Sequence, residues 1–228
     1  MMVRKGIERA ITAVAATCLF AAPALAANSL DVNAGAALEG DFGLEVIFDG
    51  ADNNDDAYVG TDTPEAETSY RFSFLIDPSN ISMAAKKYVL IGNIIKTDPP
   101  QKNFLFVFLR RSGNGQFYEI QTNVRGDNGA FQPYQVPVKI CGNPGTTIPC
   151  SSAVPVKFEF QWKAATAPGA NDGELLVLKN GQVKKTFANL DNDTHTVDAA
   201  QFGTIFTAGQ QRGGISGSYA FDSFQSFR

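Results

Sequence analysis

Oxygen-bearing side chains that could bind a metal ion are concentrated between residues 49 and 56. Four carboxylates lie in this stretch, Asp49, Asp52, Asp55 and Asp56, with two asparagines among them. Calcium takes about six to eight oxygen ligands, so the segment is a candidate calcium site. The spacing differs from that of an EF-hand loop, and Asp and Asn are also common in plain turns, so an ordinary acidic loop is the alternative. The stretch Asp191-Asn192-Asp193 is a weaker candidate of the same kind.

A second set of polar residues could bind a ligand through hydrogen bonds and aromatic contacts. These residues lie on or beside neighbouring predicted strands, and we expect them to suit a polar, concave sheet face. The alternative is that the tyrosines cover the edges of the core while the arginines pair with surface carboxylates. The candidate ligand-binding residues are Arg110, Arg111, Tyr118, Gln121, Arg125 and Tyr134.

Nucleophilic or acid–base catalysis has little support in the sequence. The chain has a single histidine, His195, between acidic and hydroxyl residues, and there is no G-x-S-x-G motif to support a serine hydrolase. A Ser-His-Asp arrangement stays open, but we expect His195 to be an exposed loop residue. No catalytic residue is assigned.

The first 26 residues have the parts of a secretory signal peptide. Arg4, Lys5 and Arg9 precede an apolar run at positions 10–20, and Ala24-Leu25-Ala26 is a cleavage site of the A-x-A type. The sequence therefore predicts a secreted or periplasmic protein with one mature domain at 27–228. An uncleaved membrane anchor is the alternative.

Charge and hydropathy limit the partners of the predicted mature chain. The signal holds three of the 19 basic residues and one of the 23 acidic ones, which leaves a net charge of −6. There is no basic run with interleaved aromatic residues, so nucleic acid is not expected as a partner. No second apolar segment approaches membrane-spanning length, so no membrane insertion is expected after cleavage.

Removal of the signal also removes Cys18 and leaves Cys141 and Cys150. An even pair in an exported chain predicts a disulfide. The residues between them include Pro, Gly and Asn and favour turns. A two-cysteine metal site would need further ligands, which the neighbouring sequence does not offer.

The remaining pattern is that of short strands. Phe158, Phe160 and Trp162 alternate with polar residues, and Asn180-Gly181 is typical of a type I′ hairpin turn. Positions 104–109 are apolar in both phases, which predicts a strand buried on both faces. Positions 80–86 suggest a single helical turn. The pattern predicts an all-β, two-sheet antiparallel sandwich whose core includes Phe72, Phe74, Phe106, Phe158, Phe160, Trp162 and Phe221.

The last 75 or so residues resemble a known superfamily. Trp162-Lys163-Ala164-Ala165, the segment 168–173, the Asn-Gly hairpin and the final strand Tyr219-Ala220-Phe221-Asp222-Ser223-Phe224 occur in the order found in concanavalin A-like jelly rolls. That superfamily includes lectins, laminin-G domains and glucanases, and the chain is similar to small exported bacterial proteins of this type. The resemblance implies a jelly-roll fold, while membership alone assigns no activity.

Enzymes of this superfamily carry motifs that can be sought directly. A retaining glucanase would show E-x-D-x-E along one strand, and a jelly-roll polysaccharide lyase would show an Arg-Glu-Leu-Arg-like strand and a Gln-x-His strand. None of these occurs in the sequence. The sequence therefore favours a non-catalytic module that binds carbohydrate or a cell-surface or matrix partner. A divergent glycan hydrolase or lyase and a purely structural envelope protein are the alternatives.

Overall fold

A computed structural model describes residues 28–49, 55–62, 65–97, 102–132, 135–143, 145–147, 149, 150, 154–205 and 214–228, without the side chains of Asp49 and Lys102. The predicted signal peptide and its cleavage site lie outside these residues. No helix within the described ranges is long and apolar enough to cross a bilayer.

Strands account for nearly all regular structure in the described residues. The only helical element among them is a short 3₁₀ turn at Ala34–Ala36. The strands are β1 Ser29–Asn33, β2 Gly43–Asp49, β3 Ala57–Thr61, β4 Ser69–Asp77, β5 Ile81–Met83, β6 Tyr88–Lys96, β7 Lys102–Arg111, β8 Phe117–Val124, β9 Val138–Gly142, β10 Val156–Lys163, β11 Gly173–Lys179, β12 Gln182–Leu190, β13 Ala199–Ile205 and β14 Ile215–Phe227.

The strands form two antiparallel sheets that pack face to face. The eight-stranded sheet has the order β1-β2-β14-β4-β10-β11-β12, with β5 paired to β14, and the six-stranded sheet has the order β3-β13-β6-β7-β8-β9. Half of the strand pairs join strands that are distant in sequence, as expected for a jelly roll. The predicted all-β jelly-roll sandwich is confirmed.

Phenylalanine rings from both sheets fill the space between them. The rings of Phe72 and Phe160 stack at 4.7 Å between centroids, and Phe202 of the opposite sheet lies 5.4 Å from Phe72. Phe74 makes an edge contact with Phe221 at 4.8 Å. The predicted core residues of this region are all buried. Phe106 is buried too, but it belongs to a separate cluster described below.

Strand β7 is buried on both faces, as its sequence predicts. Leu105, Val107 and Leu109 face the inter-sheet core. Phe106 and Phe108 point the other way and form a small cluster with Leu90 and Ile205 on the outer face of the six-stranded sheet. This outer cluster is the apolar base of the candidate site.

The structure confirms one predicted turn and corrects another. Asn180 and Gly181 both have positive φ, 49° and 75°, which confirms the type I′ turn between β11 and β12. The predicted helical turn at 80–86 is wrong, because Ile81–Met83 forms β5 against β14. The partner strand β14 has Gly217 opposite Ile81, and a Cβ atom at position 217 would lie 2.3 Å from the Asn80 carbonyl oxygen. This close approach allows the short pairing.

The stacked rings lead to a stability prediction. Phe160→Ala should lower the free energy of unfolding by about 3–5 kcal/mol, because it removes a fully buried ring and leaves a cavity. The exposed Val183→Ala should change it by no more than about 0.5 kcal/mol. Chemical denaturation of both variants measures these values. Equal effects of the two substitutions would contradict the assignment of Phe160 to the core.

Candidate functional site

Polar side chains cross the outer face of the six-stranded sheet at its middle strands. Antiparallel pairing puts Phe108 of β7 opposite Gln121 of β8, and Phe106 opposite Asn123. Arg110 Nη1 donates to Gln121 Oε1 at 3.1 Å, and Gln121 Nε2 donates to Asn123 Oδ1 at 3.2 Å. One guanidinium and two amides therefore form a hydrogen-bonded row that runs across two strands.

An aromatic floor lies directly beside this polar row. The rings of Phe106 and Phe108 are nearly parallel, at 8° and 6.2 Å, and Tyr88 contacts Phe108 edge-on at 5.6 Å. Phe131, which is half exposed, makes an edge contact with Phe106 at 5.6 Å. Binding sites for small ligands commonly combine such apolar surfaces with a few fixed polar groups.

Arg125 and another amide pair extend the site toward the other end of the sheet. The Arg125 guanidinium lies 4.5 Å from the Phe131 ring centroid and 5.3 Å from that of Phe106, so it stacks between the two rings. On the neighbouring strands, Asn93 Nδ2 donates to Gln201 Oε1 at 3.4 Å. The Asn93 Oδ1 atom is buried and accepts no hydrogen bond from the residues that the structure describes. The outer face therefore carries four side-chain amides.

Charge on this face is concentrated near the start of β8. Glu119 lies opposite both Arg110 of β7 and Lys139 of β9. Burial raises the pKa of the Glu119 carboxyl group, and the positive charges of Arg110 and Lys139 oppose that rise without cancelling it. Glu119 is thus a carboxyl group with an elevated pKa on a face that also holds three cations.

The six candidate ligand residues do not form one site. Arg110, Gln121 and Arg125 share the outer face of the six-stranded sheet. Arg111 and Tyr118 are buried and point toward the opposite side, where the Tyr118 hydroxyl donates to the Ile81 carbonyl oxygen. Tyr134 lies outside the described residues, and whether any of the six binds a ligand stays a prediction.

Several polar residues of the outer face were not identified from the sequence. Asn93, Gln201 and Asn123 belong to it, as do the rings of Tyr88 and Phe131. Asn123 could have been found because it follows Gln121 at strand spacing. The others come from strands or loops whose pairing the sequence does not reveal.

The predicted calcium loop is only partly visible. Asp52 and the side chain of Asp49 lie outside what the structure describes, and Asp55 and Asp56 are exposed. Calcium at this loop stays a prediction.

A different group of carboxylates does come together at one end of the sandwich. Carboxylate oxygens of Asp127, Asp191 and Asp193 lie within 4.8 Å of one another. The Asp127 backbone N–H donates to the Asp191 carbonyl oxygen at 2.8 Å, and Thr194 Oγ1 donates to Asp127 at 2.7 Å. Burial, followed by the hydrogen bond and charge of Asp127, raises the pKa of Asp193.

The expectation of an exposed His195 is wrong. Its side chain is 1% exposed and packs against Phe104, with 5.0 Å between ring centroids. Its Nδ1 atom lies 3.7 Å from Asp127 Oδ1. The polar residues around it in sequence suggested a solvated loop, but Phe104 and the Asp127 turn cover the imidazole.

The predicted disulfide is present. Cys141, at the end of β9, is bonded to Cys150, and their Cα atoms are 4.7 Å apart. The bond closes a loop whose first residues, Gly142 and Asn143, lie next to the end of β7.

Comparison with known proteins gives similarity of fold. No protein-family model matches the sequence, and no curated protein matches it. Among solved structures, the chain is similar to an endo-β-1,4-glucuronan lyase from the fungus Trichoderma reesei, with a TM-score of 0.62 and 12% identity over 87% of this chain and 86% of that one. It is also similar to the cellulose-induced protein Cip1, with a TM-score of 0.55 and 14% identity over 89% and 86% of the two chains.

A third similar structure is that of the alginate lyase Aly36B, with a TM-score of 0.55 and 15% identity over 83% of this chain and 82% of that one. A variant of Aly36B was also solved with an alginate trisaccharide. At these identities the similarity establishes the fold. The chain is a jelly-roll sandwich of the concanavalin A-like type, as its sequence resemblance implied.

The two carboxylates with oppositely shifted pKa values give a pH prediction. Burial raises the pKa of Glu119, so the penalty for its charge is absent below the ordinary glutamate pKa of about 4.3 and develops as pH rises through the higher folded value. Glu119→Gln should therefore raise the melting temperature at pH 7, with a gain that disappears near pH 4.

Glu159→Gln is the matched control for this prediction. Burial alone would raise the pKa of Glu159, but hydrogen bonds from Gln161 and Arg71, with the charges of Arg71 and Lys157, lower it. Its stabilising charge is present above a pH of about 4.3 and is lost as pH falls through the lower folded value. Glu159→Gln should lower the melting temperature at pH 7. Shifts of the same sign in both variants would contradict this account.

Calcium binding is tested by thermal unfolding in millimolar calcium and in excess EGTA. Binding at about a hundredfold excess over Kd adds about 2.7 kcal/mol. For this chain length we expect a rise of about 5–10 °C, at roughly 2–4 °C per kcal/mol. Asp55→Asn with Asp56→Asn should abolish the rise if the predicted loop binds the ion. The double variant Asp191→Asn with Asp193→Asn should abolish the rise instead if the ion binds at the cluster that these residues form with Asp127. Identical melting curves with and without calcium would refute the prediction.

Proposed function

We propose that this protein is an exported, non-catalytic recognition module that binds carbohydrate on the outer face of its six-stranded sheet. The observation that carries the proposal is the hydrogen-bonded row Arg110, Gln121 and Asn123 beside the Phe106–Phe108 floor. Export follows from the predicted signal peptide and agrees with the disulfide.

The chemistry of the row suits sugar hydroxyl groups. Each hydroxyl can donate and accept a hydrogen bond, and so can each side-chain amide. The amides of Gln121 and Asn123 are held by neighbours on the same face, so little conformational entropy is lost when they bind a ligand. The half-exposed ring of Phe131, packed against the buried Phe106, offers an apolar surface for the less polar face of a sugar ring.

The charges of this face favour an acidic glycan over a neutral one. Arg110 and Lys139 lie on either side of Glu119, and Arg125 adds a third positive charge beyond the other end of β8. Guanidinium groups bind carboxylates with two hydrogen bonds at once. Similarity to a glucuronan lyase and an alginate lyase is consistent with a polyuronate ligand.

The second candidate function is a glycan lyase or hydrolase, which the similar structures equally support. Glu119 favours it, because burial raises the pKa of this carboxyl group and so lets it keep a donatable proton at a higher pH than an ordinary glutamate. Against it, His195 is buried between Phe104 and Asp127 and does not belong to the outer face. Hydrolysis by paired carboxylates would need a second acid about 5–9.5 Å from Glu119.

Binding is tested on an array that carries polyuronates and neutral polysaccharides. We expect polyuronates to bind. Arg110→Met should weaken their binding by about 10- to 100-fold, since hydrogen bonds to charged groups contribute roughly 1.5–3 kcal/mol. Gln121→Ala should also weaken binding. Arg71→Met is the control, because Arg71 is half exposed on the other sheet and pairs with Glu159. Equal binding by Arg110→Met and wild type would refute the proposed face.

The enzymatic alternative has its own readout on the same polysaccharides. A lyase releases unsaturated uronate that absorbs in the ultraviolet, and a hydrolase releases reducing ends. Turnover that is lost in Glu119→Gln would replace the binding proposal by the lyase or hydrolase. A blank array together with self-association would instead support a structural envelope protein.

A further inference from the structure

Two consecutive arginines lie on opposite faces of the six-stranded sheet. Arg110 points to the outer face, whereas Arg111 is only 6% exposed and points to the side of β5 and the disulfide loop. The Arg111 guanidinium carbon lies 4.1 Å above the centroid of the Tyr118 ring, and its Nη2 donates to Asn143 Oδ1. The Arg111 side chain is therefore fixed in place.

The charge of Arg111 has no counter-charge among the described residues. No carboxylate oxygen in those ranges lies within 4.0 Å of its guanidinium nitrogens. Its Nη1 atom is buried and has no acceptor in the described part of the chain. A buried charge without a partner is costly, and proteins usually pair such a group with an opposite charge or a ligand.

A cavity of about 470 Å³ lies next to this guanidinium. Ser82 and Met83 of β5, Asn143, Cys150 and Arg111 itself are part of its wall, and none of its described lining residues is acidic. The volume falls in the range of about 300–1,000 Å³ that is usual for small-molecule sites. The cavity is thus large enough for a small organic anion and has one buried cation in its wall.

Several other polar groups of the wall are already engaged in hydrogen bonds, whereas the guanidinium keeps donors without an acceptor among the described residues. The Tyr118 hydroxyl donates to the Ile81 carbonyl oxygen, and Asn143 Nδ2 donates to the Gly115 carbonyl oxygen at 3.1 Å. The Asn143 backbone N–H donates to the Gln116 carbonyl oxygen at 2.9 Å. These contacts fix the wall around a cation whose Nη1 group has no acceptor among the described residues.

We propose that this cavity, between β5, the end of β7 and the disulfide loop, binds a small oxyanion or carboxylate through Arg111. It is a second site, separate from the proposed carbohydrate face and independent of it. The ligand is either a free inorganic oxyanion or the carboxylate of a small organic acid such as a sugar acid. Both offer oxygen acceptors to the fork of guanidinium donors.

The test measures binding of sodium sulfate and sodium D-glucuronate by titration calorimetry at constant ionic strength. We expect saturable binding to wild-type protein that weakens at least tenfold in Arg111→Met. Ser82→Phe, which changes an exposed cavity residue and leaves the guanidinium in place, should block binding too. The control is Arg71→Met, which removes a half-exposed arginine of the other sheet that belongs to neither proposed site and should leave this binding unchanged.

Each outcome decides the proposal or identifies the ligand. Binding of both anions in competition supports an oxyanion site, and binding of glucuronate alone assigns it to sugar acids. Absence of saturable binding to wild type, or undiminished binding by Ser82→Phe, overturns the proposal. Anion binding that is lost in Arg110→Met but kept in Arg111→Met would place the anion on the carbohydrate face instead. If Arg111→Met does not fold, Ser82→Phe against the Arg71→Met control still decides.

Discussion

Burial of phenylalanine rings between the two sheets determines how the sheets are placed and which residues face outward. Phe72 and Phe160 stack within one sheet and meet Phe202 of the other, so the two sheets are fixed in position by ring contacts. Because side chains alternate along a strand, the burial of one phase decides which face every other residue occupies. A slip of one residue in β7 would exchange Arg110 with Arg111 and remove both proposed sites.

Strand β7 shows how this constraint produces the face that we propose binds carbohydrate. Its inner residues, Leu105, Val107 and Leu109, belong to the inter-sheet core, and its outer residues Phe106 and Phe108 form an apolar floor. On the outer side, contacts with Tyr88, Phe131 and Arg125 help to bury these two rings, and the half-exposed Phe131 adds apolar surface. The flanking amides of Gln121 and Asn123 make that surface amphipathic, which is what a sugar ring requires.

The sequence alone predicted the sheets, the Asn-Gly turn, the disulfide and the doubly buried strand, because each depends on local spacing or composition. Strand alternation puts Arg110 and Arg111 on different sides, but the sequence could not tell which of the two faces outward, since positions 104–109 are apolar in both phases. The burial of His195 and the meeting of Asp127 with Asp191 and Asp193 join segments more than 60 residues apart in sequence. The strand at Ile81–Met83 forms only because Gly217 lets β14 approach it closely.

The edge strand β9 and its continuation contribute residues to both proposed sites. Its exposed backbone is protected from pairing with another chain by a side chain of the other sheet. An edge strand exposes unpaired backbone groups that could pair with another chain. Here Lys179 of the other sheet donates from Nζ to the carbonyl oxygens of Lys139 and Ile140, at 2.7 and 3.2 Å. The disulfide at Cys141 then turns the chain back over the sandwich rim. Strand β9 therefore holds Lys139 beside Glu119 on one face while its continuation holds Asn143 against Arg111 on the other.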